Sequence, residues 1–371
     1  MEQLNYFSAD YQITADSKIE AETIARNICI EQSVEMPPET VPVHIRSSIA
    51  AIESIEFISE KRWRARIRFP KILVGSEPTQ FLNVLYGNSS LQPGIKLLDT
   101  EGAYLNELLP GPSFGIPGVR KLLDIQGRAL SCTALKPIGL TPGELAERAY
   151  KFSSGGIDII KDDHGLANQS SADFRSRLIS CVRAVRKGEQ KSGKRTLYFP
   201  NITTSPSQTI KRYEEAVSLG ADGVLVSPQL TGPETLCELS AIGSVPVMAH
   251  PAFSGSFLIH DAQGIAAPFY LGKLWRAFGA DCVIYPNTRG RFTFGIDLCK
   301  EINRQCRAEM GDIHPSFPTP GGGINRESVS VWLNEYGKDT ILLVGGSLYQ
   351  HPDGLERAAQ EFQHTLESHG Q

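Results

Sequence analysis

The sequence predicts a (β/α)8 barrel preceded by a small α+β domain of ferredoxin-like type. Three observations carry that reading. The rhythm of apolar residues changes near residue 110, eight short apolar runs follow at regular spacing, and polar residues gather where those runs end. Residues 1–115 are assigned to the first domain and 116–371 to the barrel.

In the first part, "YFSADYQI" (6–13) and "RWRARIRF" (62–69) alternate as half-buried strands do. "KIEAETIARNICIEQS" (18–33) has helical spacing with glutamate weighted to its start, which suits the positive end of a helix. "TQFLNVLYGN" (79–88) predicts a second helix and "GIKLLDTEG" (94–102) a further strand of a mainly antiparallel sheet. The Pro- and Gly-rich "LLPGPSFGIPG" (108–118) reads as the boundary.

Beyond it come "ALSCTALKP", "IDIIKDD", "TLYFPNIT", "GVLVSP", "VPVMAHP", "DCVIYPN", "HPSFPTP" and "TILLVGG". The segments between them carry helix signals, as in "TPGELAERAYKFSSGG", "SQTIKRYEEAVSLG" and "RESVSVWLNEYG", with Ser or Thr near the start and Gly at the end. Eight such units favour a closed barrel over an open doubly wound sheet.

Bulk properties narrow the function. The 371 residues carry 37 Lys and Arg against 41 Asp and Glu, a net charge of −4, which gives no reason to expect nucleic acid or an anionic membrane as partner. No apolar run approaches the ~20 residues that span a bilayer. The polar, acidic start "MEQLNYFSADYQITAD" is neither a signal nor a transit peptide. Seven scattered cysteines without a C-x-x-C pair argue against a disulfide framework or structural zinc, and so for a cytoplasmic protein.

In a barrel of this kind the chemistry sits at the carboxyl ends of the strands. "KDDH" (161–164) ends the second run, where a solvated turn is the bland reading. Lys136, Asn201, His250 and Asn287 end the first, third, fifth and sixth runs and converge with it on a common mouth. "PTPGGGIN" (Gly321, Gly322, Gly323) and "LLVGGSLYQHP" (Gly345, Gly346, Ser347) end the last two. Glycine lets backbone N–H groups approach an anion, and a helix start just beyond adds a favourable dipole, so a phosphorylated substrate is expected. The plain alternative is tight left-handed turns. Lys161, Asp163 and His164 could hold a cation, which needs two or three oxygen ligands if it is hard. A buried lysine there either pairs with the carboxylates or reacts with carbon dioxide to give a carbamate.

The order of these features resembles the large-subunit family of ribulose-1,5-bisphosphate carboxylase/oxygenase (RuBisCO), over nearly the whole chain. The resemblance rests on "CTALKPIGL", "GGIDIIKDDH", "YFPNIT", "HPAF", "GGGI" and "GGSLYQHP". It implies that Lys161 is carbamylated by CO2 and that Asp163 binds Mg2+. Lys136 then moves protons in enolisation, and His250 lies on the phosphate side. Glu31 and Asn88 would complete the site of a neighbouring subunit, which implies a homodimer with shared sites. His164 stands where the family has a glutamate ligand, so manganese or zinc replaces magnesium if the imidazole ligates. Ile138 lies near the position of a second lysine, Pro251 and Ser254 replace an arginine and a histidine, and Arg291 in "TRGRF" replaces a lysine. The sequence also stops soon after the eighth helix, without the family's usual longer tail.

Those losses imply a RuBisCO-like protein rather than a carbon-fixing enzyme. The favoured expectation is a metal-dependent lyase acting through an enolate. It would decarboxylate, transcarboxylate or hydrolyse a 3-oxo sugar-acid phosphate such as 3-oxo-isoapionate 4-phosphate. An isomerase or enolase on a methylthio-sugar phosphate is the runner-up, and an inactive sugar-phosphate binder the third reading.

Overall fold

The structure, a computed structural model, describes residues 6–292 and 294–369. The described chain forms β1 (Tyr6–Thr14), β2 (Ala51–Ser59), β3 (Arg62–Pro70), β4 (Ile95–Thr100), β5 (Leu130–Leu135), β6 (Ile159–Asp162) and β7 (Leu197–Phe199). It continues with β8 (Val224–Val226), β9 (Val247–Ala249), β10 (Gly264–Ile265), β11 (Cys282–Pro286), β12 (Phe317–Gly321) and β13 (Ile341–Leu343).

Two compact units result. The first runs to Leu109 and also takes in Ser254–Tyr270 and Met310–Asp312, segments that the sequence reading gives to the barrel. Its sheet has the order β10-β4-β1-β3-β2, with β1, β2, β3 and β4 pairing antiparallel. With helices Lys18–Glu31 and Pro78–Tyr86 between strands, this is the expected ferredoxin-like order. β10 is an addition, pairing parallel with the outer edge of β4. Phe7, Phe69, Phe81 and Tyr104 stack into the apolar centre of this unit.

The second unit is the barrel. Its eight strands pair parallel in chain order, and β13 returns to β5 with Ile341 opposite Leu130. β7 and β8 close the ring through a parallel bridge between Asn201 and Leu225, with Leu225 N donating to Pro200 O and Ile202 N to Leu225 O, each at 2.9 Å. Short strands suffice because helices cover them outside. Helix Pro142–Ser154 begins with a Thr141–Glu144 capping box, as the Thr-Pro start predicts.

The barrel interior is one apolar cluster that includes Leu130, Cys132, Ile159, Leu197, Phe199, Leu225, Met248, Cys282, Ile284, Phe317 and Ile341. Ile116, Val119 and Leu123 join it from helix Gly115–Leu123. The stretch read as the domain boundary therefore runs into a helix that packs on the barrel core. Pro117 does not prevent this, because a proline in the first turn forfeits an N–H that has no partner anyway. The start of that helix is fixed by buried Asp281, whose carboxylate accepts from Phe114 N, Gly115 N and Val247 N at 2.7–2.8 Å. Burial pushes its pKa up to about 6, against the pull of those three donors. Asp281→Ala would orphan all three N–H groups, and a loss of about 3 kcal/mol is expected in urea unfolding. Loss of under ~1 kcal/mol would show that water replaces the carboxylate.

Candidate active site

Side chains alternate along a strand, so one residue of register decides which of them reach the barrel mouth. Leu130 and Cys132 point inward, and Lys136 follows in the same parity just beyond β5. Ile159 points inward and so does Lys161. Asp162 points outward, where it is fully buried and accepts from Arg177 Nε at 3.0 Å, Tyr198 Oη at 2.7 Å and Asn201 N at 3.0 Å. The two aspartates of "KDDH" thus have separate duties. Asp162 ties the strand to helix Phe174–Ser192, and Asp163 faces the mouth beside the two lysines.

Lys161 is 2% exposed, and its amine donates to the Asp162 carbonyl at 3.1 Å. Burial drives its pKa below the ordinary lysine value, although Asp163 pulls the other way. Pairing with the carboxylates, one of the two fates expected of a buried lysine here, predicts a direct hydrogen bond to Asp163, yet the one found goes to the backbone. Asp163 Oδ1 lies 3.6 Å from Lys136 Nζ and 3.5 Å from His164 Nδ1. Burial would raise this carboxyl, but the His164 contact and the charges of Lys161 and Lys136 outweigh it and hold it well below the carboxylate range.

His164 stacks on His250, ring centroids 4.5 Å apart and planes 11° apart. His250 Nδ1 accepts from Ala252 N at 3.1 Å, so Nε2 carries the proton in the neutral ring. Burial, then the charge on Lys161, pushes its pKa well below the ordinary histidine value, which favours the neutral ring. Asn201 braces the loop beneath: its amide donates to His164 O and Leu166 O, each at 2.9 Å.

The structure corrects the reading of Asn287. Its parity is that of Val283 and Tyr285, opposite to Cys282 and Ile284, and its amide turns away from the mouth. It accepts from Tyr336 Oη at 2.5 Å and donates to Gly322 O at 3.0 Å. The glycine loops divide as well. Gly322 (φ +114) and Gly323 (φ +66) adopt left-handed backbone, and a Cβ on either would meet Gly290 Cα at 2.9 Å or Arg289 O at 2.8 Å. Tight packing alone therefore requires glycine there. A Cβ on Gly321 would press Leu343, whereas one on Gly345 or Gly346 would meet nothing within 4 Å. The space in front of these two glycines is therefore open. Only a four-residue turn starts at Gly346, so the dipole expected from the sequence is small. Ser347 Oγ donates to Ile324 O at 3.1 Å and joins the two loops. Arg291 is exposed on the loop after β11.

In the first unit, Asn88 Nδ2 donates to Glu31 Oε1 at 2.9 Å, so these two sequence-selected residues do meet. Sequence reasoning missed their brace, Gln32. Its amide donates to Asn83 O and Val84 O and accepts from Ser89 N.

The donor set tests the implied cation. Among the described residues no group of three His, Cys, Asp or Glu side chains could hold a metal. With Asp162 turned away, the mouth offers the Asp163 carboxylate and the His164 imidazole. A second acidic oxygen has to come from Lys161, whose depressed pKa favours the neutral amine that reacts with CO2. The residues fit a hard divalent cation with that carbamate in place.

Residues 115–292 match the catalytic domain of the ribulose bisphosphate carboxylase large chain. The chain is 37% identical to ribulose bisphosphate carboxylase-like protein 1 of Rhodopseudomonas palustris, over 97% of both chains. The chain belongs to the RuBisCO large-chain family. Within that family it is 34% identical to the 5-methylthioribulose-1-phosphate isomerase of Rhodospirillum rubrum, covering 95% of this chain and 94% of that one. The crystal structure of a Rubisco-like protein from Rhodopseudomonas palustris superposes with a TM-score of 0.89, at 35% identity over 99% of each chain. This RuBisCO-like chain thus has relatives named for the methylthio-sugar chemistry that the sequence reading ranks second.

The resemblance places His164 where the family has a glutamate ligand. We expect His164→Glu to bind magnesium at least as tightly as the parent while turnover falls, the outcome that follows if the imidazole acts outside the metal shell as an acid or base. Metal titrations and initial rates with magnesium, manganese and zinc check this. A rise in magnesium-dependent turnover would make His164 a ligand instead.

Proposed function

We propose that the chain moves a proton at the carbon next to the carbonyl of a phosphorylated keto-sugar, as an isomerase or enolase on the methylthio-pentulose phosphate class. The observation that carries this is Lys136. Its side chain is 45% exposed at the mouth, and its amine lies 3.6 Å from the Asp163 carboxylate. An amine so placed can take a proton from carbon and return it, with Asp163 balancing the ammonium formed. The name of the Rhodospirillum relative supports the substrate class.

Carbamylated Lys161 and Asp163 would hold the divalent cation, with His164 at the edge of the shell. When bound, the cation stabilises negative charge developing on the substrate carbonyl oxygen. His250 donates from Nε2 toward the phosphorylated part of the substrate. The N–H groups of Gly345 and Gly346 line the space for the phosphate, and Arg291 adds positive charge from its loop.

Decarboxylation of a 3-oxo sugar-acid phosphate is the second reading. It draws on Ile138, 52% exposed near the position of the family's second lysine, which weakens the proton-moving set. Incubation in deuterium oxide separates the two. Deuterium entering 5-methylthioribulose 1-phosphate or its product supports proton transfer. Carbon dioxide released from 3-oxo-isoapionate 4-phosphate, without exchange into the methylthio substrate, overturns it.

The same proposal includes a two-fold dimer in which Glu31 and Asn88 reach a neighbouring copy's site. Glu31→Gln is then expected to lower turnover of its partner's site. Mixing it with Lys161→Ala protein should restore part of the activity, since half of the hybrid sites hold neither substitution. A fully active monomer in sedimentation experiments would refute the shared site.

A further inference from the structure

The ladder between β13 and β5 ends at Leu343 opposite Cys132, with Val344 N donating to Cys132 O at 2.9 Å. Beyond that point β5 stays paired with β6 through Leu135, but on its β13 side it runs on toward Lys136 with no strand residue beside it. One side chain takes the place of the missing strand. Tyr349 Oη donates to Ala134 O at 2.8 Å and accepts from Lys136 N at 3.0 Å. A single hydroxyl thus satisfies the carbonyl and the N–H that the next pair in a ladder would have served. On its other side the Lys136 carbonyl accepts from Arg148 Nε at 2.8 Å. Both polar groups of the Lys136 main chain are therefore held by side chains.

Tyr349 also has a defined origin. It is the last residue of the turn Gly346–Tyr349, which starts inside the glycine loop. Four residues of helix span about 6 Å, too short to bend without moving as a piece. The Tyr349 ring is wedged edge-on against Phe152, centroids 5.5 Å apart and planes 75° apart. The ring is rigid and its hydroxyl lies on the ring axis, so a shift of this turn is carried to the hydroxyl.

We infer that Tyr349 is a positioning residue that sets the main chain of Lys136 and transmits occupancy of the Gly345–Gly346 loop to that lysine. The inference rests on the reading of Lys136 as the proton-moving group and of the loop as the phosphate cradle. Substrate phosphate would then tighten the base only when a substrate is present. Lys136 is exposed, so water can replace the hydroxyl at its N–H, and Tyr349→Phe should fold while keeping its contact with Phe152.

The test uses inorganic phosphate as probe and 13C-dimethylated lysine signals as readout, with the Lys136 resonance assigned by its loss in Lys136→Arg. In the parent protein phosphate is expected to shift that resonance. In Tyr349→Phe the phosphate affinity should stay within about twofold while the shift falls at least about fivefold. With a turned-over substrate, kcat should fall about tenfold at unchanged KM, and the loss should vanish in a Lys136→Ala background. An undiminished shift in Tyr349→Phe, or additive losses with Lys136→Ala, would overturn the inference while leaving the phosphate reading intact. Failure of the parent protein to bind phosphate at all would overturn both together.

Discussion

Lys161→Ala is expected to lower turnover at least about a thousandfold while phosphate esters still bind at the glycine loop. The reason lies in the count of oxygen ligands. Asp162 is committed to Arg177, Tyr198 and Asn201, so Asp163 is the one carboxylate of that pair left for the mouth. Without Lys161 no second acidic oxygen can form there, and Asp163 with water would hold a hard cation weakly. Kinetics and calorimetric titration with a phosphorylated sugar read the two effects apart. The parent protein should also take up labelled carbon dioxide as a carbamate signal that the variant lacks. Retained turnover would remove the lysine from the mechanism.

Lys136→Ala carries the second large expected effect, a fall of about a hundredfold to ten-thousandfold in kcat for proton transfer. Substrate affinity should change little, since the amine acts on carbon and the phosphate is held elsewhere. Solvent deuterium entry into the substrate should fall in proportion. If the variant exchanges deuterium at the parent rate, the base is another group. Should it still release carbon dioxide from a 3-oxo sugar-acid phosphate at full rate, the chemistry is carbon–carbon cleavage that needs no base at this position.

Much of this architecture was legible in the chain because short buried strands advertise themselves. Each of the eight apolar runs overlaps a barrel strand, and the Thr141 start of its first outer helix carries the capping box that its composition suggests. Less visible were elements whose stability comes from distant partners. β2 exposes much of "AIESIEFIS" and draws order from its pairing with β3, so its burial pattern is not a clean alternation. β10 has two residues and exists only as a companion to β4. The helix Gly115–Leu123 was hidden by Pro and Gly and is fixed by Asp281, far along the chain.

At the site, residue types pointed to the right strand ends but not to the right faces. Asn287 has the composition of a mouth residue and the parity of an outer one, and parity prevailed. The glycines of the seventh strand are needed for their own turn, and those of the eighth stand open. Tyr349 and Gln32 carried no sequence signal, because a bracing side chain is defined by which backbone groups it finds.

The pairing of β13 with β5 has a consequence for how the molecule comes into being. Leu130 cannot meet Ile341 until the chain through β13, the eighth barrel strand, has left the ribosome, and a parallel contact between such distant residues is slow to form. Until then the outer edge of β5 is an unpaired strand, open to pairing with another nascent chain. Both groups held by Tyr349 lie on that same stretch, so the Lys136 main chain acquires this partner only after the eighth strand has been made. The order of translation thereby leaves that stretch without its brace until all eight strands of the barrel exist.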